Sequence, residues 1–130
     1  MAILLLDTTV LIDAIDRKRD RDRLLGSLLE QGNLLACCSI NVTEVYAGMR
    51  PNELKATEAL LRSLDFYEVT WDIARQAGEL KFEWAKRGHT IALPDVTIAA
   101  VALAHGLTLV ADNRKDFPMP ELKVLHLAET

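Results

Sequence analysis

Short apolar runs separated by amphipathic stretches predict a three-layer α/β/α fold around a central parallel sheet of four to five strands. Three observations carry that expectation. The apolar runs near residues 3–6, 34–39 and 107–111 have strand length and are bounded by polar or turn residues. The intervening segments place Leu, Val and Ile at helical spacing. Acids recur where a strand gives way to a helix or turn: Asp7, Glu44, Asp95 and Asp112.

In chain order, Ile3–Leu6 reads as a buried strand and Thr8–Ile15 as a helix leading into the charged run 17–23. Leu24, Leu25, Leu28 and Leu29 repeat at helical intervals, and Gly32 closes that helix. Residues 34–39 form a second strand. Val42, Val45, Tyr46 and Met49 mark one face of a helix that stops before Pro51. A further helix covers 53–63, a third strand 66–69, and a long amphipathic helix 71–87 ends at Gly88. Pro94 opens a strongly apolar helix that stops at His105-Gly106. Residues 107–111 and 122–125 are the last strands.

Composition narrows the class. At 130 residues, half of them hydrophobic, the chain suits one domain spanning 1–130. No apolar run approaches the ~20 residues of a membrane span. The apolar amino terminus lacks a basic segment and meets Asp7, so it reads as a strand rather than a signal peptide. Adjacent Cys37 and Cys38 read as buried thiols of a reducing, cytoplasmic setting and not as metal ligands. A net charge of −4 argues against indiscriminate nucleic-acid binding. The run Arg17–Arg23, with Lys81, Lys86, Arg87, Arg114 and Lys115, supplies local positive charge. It reads as a solvated helix start and loop, or as a phosphate guide if it lies beside the acids.

Singly, each acid has a structural explanation. Asp7 suits a helix cap, Asn41 and Glu44 a capping box, Asp95 the positive end of a helix, and Asp112-Asn113 a turn. Jointly they lie where a parallel sheet binds ligands, outside the carboxyl ends of its strands. Carboxylates gathered there repel unless a cation joins them, and an all-oxygen set suits Mg²⁺ or Mn²⁺. His89, His105 and His126 receive structural readings, none of them as an essential base.

Five segments follow one another in a recognisable order: residues 5–12 (LLDTTVLI), 41–48 (NVTEVYAG), 87–91 (RGHTI), 95–102 (DVTIAAVA) and 109–117 (LVADNRKDF). The set resembles PIN-domain proteins, and among them the VapC-type toxins of toxin–antitoxin pairs. The resemblance implies a Mg²⁺- or Mn²⁺-dependent ribonuclease acting on single-stranded or looped RNA. Asp7, Glu44 and Asp95 match three acids of that family. For the fourth position Asp112 is favoured because it follows its strand directly, with Asn113 and Asp116 as the other registers. Asp116 is then expected to fix the turn, Asn113 to bind a water on the metal, and Thr8 to support the first acid. Asp7 and Asp95 would be primary ligands, with Glu44 and Asp112 acting through water or on a second ion. The resemblance further implies a cognate antitoxin whose tail covers the site and inserts an Arg. It also implies a homodimer, with helices around 42–49 and 53–64 as candidate faces. Two rivals stand beside it. One is a phosphotransfer domain with Asp7 as phosphoacceptor, although Thr9 occupies the place where a second Asp would be wanted. The other is a PIN-type binding subunit without activity.

Overall fold

The computed structural model describes residues 2–127; Met1 and residues 128–130, at the ends of the expected 1–130 domain, lie outside the described residues. Apolar runs too short for stable helices pair instead as strands. They are β1 (Ile3–Leu6), β2 (Leu34–Cys38), β3 (Asp65–Tyr67), β4 (Thr108–Ala111) and β5 (Val124–His126). Helices α1 (Thr8–Ile15), α2 (Arg21–Glu30), α3 (Ser39–Gly48), α4 (Leu54–Ser63), α5 (Trp71–Lys86) and α6 (Leu93–His105) connect them. The strands run parallel in the order β3-β2-β1-β4-β5. The expected sheet is therefore present at its upper count of five strands.

Strand side chains alternate between two helical layers, as the period-two pleat requires. Leu5, Ala36, Cys38, Leu109 and Ala111 pack on α5 and α6 through Ile73, Ala77, Val96, Ala99 and Ala100. Leu4, Leu6, Leu35, Cys37 and Val110 pack on the other helices through Val10, Leu11, Leu25, Leu28, Val45 and Leu61. β1 sits at the centre and is buried on both faces. The chain leaves it first toward β2 and β3, then returns to build β4 and β5 on the opposite side. The order thus reverses between β1 and β4, and Asp7 marks the spot, its N–H donating to the Val110 carbonyl at 2.9 Å.

Boundaries move by one to three residues from the sequence expectations, with identifiable causes. Ser39 belongs to α3 rather than to the second strand. Pro51–Glu53 forms a 3₁₀ turn before α4, as suits Pro in a first turn. The last strand slides to Val124–His126, where it pairs with Leu109–Ala111. α2 starts at Arg21, so the basic run is partly helical. Gly106 ends α6 at φ 65°, the left-handed conformation expected of a stop glycine. Cys37 and Cys38 are free, buried thiols, and burial pushes the Cys37 thiol up to about 11. Among the described residues, no helix is long and apolar enough to cross a membrane.

Candidate active site

Three helix starts bring acids to the carboxyl end of the sheet. Asp7 is the N-cap of α1, and its Oδ1 accepts the Thr8 N–H at 2.9 Å. The cap reading is therefore correct, and it also fixes the carboxylate at the end of the central strand. Asp95 stands in the first turn of α6 behind Pro94, where exposed helix N–H groups favour negative charge. Glu44 lies one turn into α3 and reaches across to α1, accepting the Thr8 Oγ1 hydroxyl at 2.7 Å.

The capping box takes a different form from the expected one. Cys38 is the N-cap of α3 and Asn41 its third residue, with Asn41 Oδ1 accepting the Cys38 N–H at 2.8 Å. Glu44 is thereby released from capping. Asn41, fully buried, donates from Nδ2 to the Leu6 carbonyl at 3.1 Å and to Thr8 Oγ1 at 3.0 Å. One amide thus ties the end of β1, the Thr8 hydroxyl and the start of α3. Sequence reasoning missed that role; the cue was an Asn three residues before the acid, facing an apolar strand end.

After β4 the register also changes. Asp112 is not among the acids whose charge raises Asp7 or Asp95. Its Oδ1 accepts from Arg21 Nη2 at 2.6 Å, and its Oδ2 lies 3.3 Å from Arg19 Nη1. The 3₁₀ turn Arg114–Asp116, capped by the Asn113 side chain accepting the Lys115 N–H at 3.1 Å, carries Asp116 back toward Asp7 and Asp95. Asp112, favoured from sequence as the fourth acid, pairs with two arginines in this structure. Asp116, expected to fix the turn, is the acid whose charge the others feel, while Asn113 is the residue that shapes the turn.

The basic run changes character as well. Arg21 is buried, and Arg19 turns inward toward Asp13 and Asp112. The turn before α2 holds Arg17, Arg19 and Asp20 at φ 55°, a left-handed conformation that costs non-glycine residues on the order of 1 kcal/mol each. In the same contact buried Arg21 Nε has no hydrogen-bond partner among the described residues, and Asp112 Oδ2 meets Arg19 as an ion pair without a hydrogen bond.

Electrostatics single out the acid cluster. Burial, followed by the charges of Asp95, Asp116 and Glu44, pushes the Asp7 carboxyl up to about 7, against the opposing hydrogen bond from Thr8. Burial, followed by Asp116 and Glu44, pushes Asp95 up to about 6. Among the described residues no ion pair reaches Asp7, Glu44, Asp95 or Asp116. An all-oxygen, mutually repelling set of this kind suits a hard divalent cation. Among the described residues, no three His, Cys, Asp or Glu groups are close enough to hold an ion by themselves. Mg²⁺ ordinarily keeps several waters and takes only one or two carboxylates directly. Two of the three histidines pack on aromatic rings: His89 sets its ring edge-on to Trp84 and His105 packs against Tyr67.

Comparison with known proteins bears on the fold and the family. The PIN domain family model matches residues 4–119. Ribonuclease VapC19 of Mycobacterium tuberculosis is 33% identical over 120 residues, covering 92% of this chain and 96% of its own. Ribonuclease VapC2 of Haemophilus influenzae is 30% identical over 118 residues, covering 87% and 88%. Among solved structures, VapBC2 of Rickettsia felis, bound to a DNA fragment from the promoter, superposes with a TM-score of 0.84 at 26% identity. That likeness covers 97% of this chain and 99% of the other.

Proposed function

The chain belongs to the PIN-domain family, and from that premise we propose that it is a Mg²⁺- or Mn²⁺-dependent endoribonuclease, the toxin of a toxin–antitoxin pair. The observation that supports the metal dependence is the mutual charge that Asp7, Glu44, Asp95 and Asp116 exert near the switch point of the sheet, with no basic side chain paired to them among the described residues. Relatives named as ribonucleases and a neighbour solved as a VapBC complex support the activity and the antitoxin partner.

Asp7 and Asp95 would hold the cation directly, with Glu44 and Asp116 contacting its waters or a second ion. A divalent ion supplies charge neutralisation for the phosphodiester and acidifies a water for attack. The chain's own residues fix the geometry. The Thr8 N–H orients the Asp7 carboxylate, the Thr8 hydroxyl fixes one oxygen of Glu44, and Asn41 holds that hydroxyl in place. The start of α6 offers its N–H dipoles to Asp95, which favours its ionised form once like charge is neutralised.

For the assembly we propose a homodimer in the cytoplasm with the antitoxin covering the acids. Tyr46 and Leu54, on the two helices expected as dimer faces, remain solvent-exposed, as does neighbouring Phe66. The decisive experiment sequences RNA ends produced by the purified, antitoxin-free chain with Mg²⁺ or Mn²⁺, beside Asp95→Ala. Cleavage should vanish with EDTA, return on adding metal, and be absent from the variant. Undiminished cleavage in EDTA would overturn the metal-dependent reading.

A further inference from the structure

We propose that an open recess at the carboxyl ends of β4 and β5, lined by Arg19, Arg114, Lys115 and His126, seats the backbone phosphates of the RNA strand beside the scissile bond. This inference rests on the ribonuclease reading and adds the place where the substrate is held.

Charge is the first observation. The chain is net negative at −4, yet this recess of about 530 Å³ gathers three Lys or Arg side chains against one carboxylate, Asp112. That carboxylate is already engaged, by Arg21 at 2.6 Å from beneath and Arg19 at 3.3 Å from the rim. Arg114 and Lys115 have no ion-pair partner among the described residues and are exposed. The recess therefore offers unspent positive charge, with the imidazole of His126 as a further donor.

Continuity with the acids is the second observation. One 3₁₀ turn carries Arg114 and Lys115 into the recess and Asp116 to the neighbourhood of Asp7 and Asp95. Two residue steps of about 2 Å rise set Arg114 and Asp116 roughly 4 Å apart along the turn. A strand whose scissile phosphate meets the acids has its neighbouring phosphates over the basic residues. The third observation is the route by which Arg19 arrives. Its turn is held at φ 55° in three non-glycine residues and is pinned by Asp112, an arrangement that delivers a guanidinium to the recess instead of leaving it in solvent. Contacts of this kind bind phosphate without reading sequence.

The test uses the full chain carrying Asp7→Asn, so that RNA stays intact, and a fluorescein-labelled unstructured RNA oligonucleotide read by anisotropy over a salt series. Adding Arg114→Gln with Lys115→Gln should weaken binding about tenfold at moderate salt and flatten the slope of log Kd against log salt by about 1.4, two single-strand phosphate contacts. A charge-matched control, Lys55→Gln with Arg62→Gln on α4, should leave that slope unchanged. In the chain with Asp7 intact, the recess pair should raise KM more than it lowers kcat. Equal slopes for the recess pair and the control pair would overturn the proposal. So would a recess pair that loses antitoxin but binds RNA normally, since the surface then serves a protein. If the intact chain cuts no RNA while the recess pair still flattens the slope, the hydrolysis reading fails and the recess stands. If the intact chain neither cuts nor binds RNA, both fall.

Discussion

Replacing Asp7 by Asn separates a catalytic acid from a structural one, because the two roles predict opposite signs. In the metal-free protein the Asp7 carboxyl has its pKa raised from 3.8 to about 7, mainly by burial and then by Asp95, Asp116 and Glu44. Its folded value lies above the unfolded one. The associated stability is therefore complete below about pH 4 and is lost as pH rises through about 7. At about 1.4 kcal/mol per pH unit, holding Asp7 ionised above that range costs on the order of 4 kcal/mol; solvent access at a half-buried site reduces the realised figure to about 2 kcal/mol. Asn keeps an oxygen for the Thr8 N–H and caps helices about as well as Asp, so little is lost on the other side. Urea unfolding in EDTA at pH 8 should find Asp7→Asn more stable than the parent by about 2 kcal/mol, and at pH 4 nearly equal to it. Mg²⁺ should then stabilise the parent and not the variant. A variant less stable than the parent at pH 8, or a difference that does not change with pH, would refute the electrostatic account and leave Asp7 as a cap alone.

Asp112→Ala should cost about 3 kcal/mol in urea unfolding, because it strands buried Arg21, yet leave cleavage measurable below the unfolding transition. Lost cleavage with unchanged stability would restore Asp112 as a metal ligand. Asp116→Asn should reduce cleavage while lowering the pKa values of Asp7 and Asp95 in a ¹³C NMR titration of the side-chain carboxyls. Unmoved titration curves would separate Asp116 from the cluster. Mg²⁺ affinity by calorimetry should strengthen from about pH 5 to pH 8, since Asp95 at about 6 and Asp7 at about 7 must ionise to bind. A flat profile contradicts direct ligation by them. Asn41→Ala should destabilise by about 2 kcal/mol, stranding the Cys38 N–H and the Leu6 carbonyl, and should also impair cleavage through loosened Thr8 and Glu44. Normal cleavage in that variant would limit Asn41 to holding the fold.

The layered fold was legible in the chain because period and punctuation are local properties. Residues 3–6, 34–38 and 108–111 alternate between two apolar layers, and Gly106 stops α6 where a left-handed residue is needed. The placement of Asp7, Glu44 and Asp95 follows from the same local rules: each stands at a fixed offset from a strand end or helix start, and a parallel sheet carries those offsets to one edge. Tertiary structure alone decides which acid after β4 lies near enough for Asp7 and Asp95 to feel its charge. Arg21 reaches Asp112 across 91 positions of sequence, and the Asn113-capped turn returns Asp116. Spacing along the chain carries no information about such a pairing. Asn41 was hidden likewise, since its two donors and one acceptor find their partners only when β1, α1 and α3 meet. A sequence records where charges stand along the backbone. Which charges face one another depends on distances that exist only once the sheet has closed its layers.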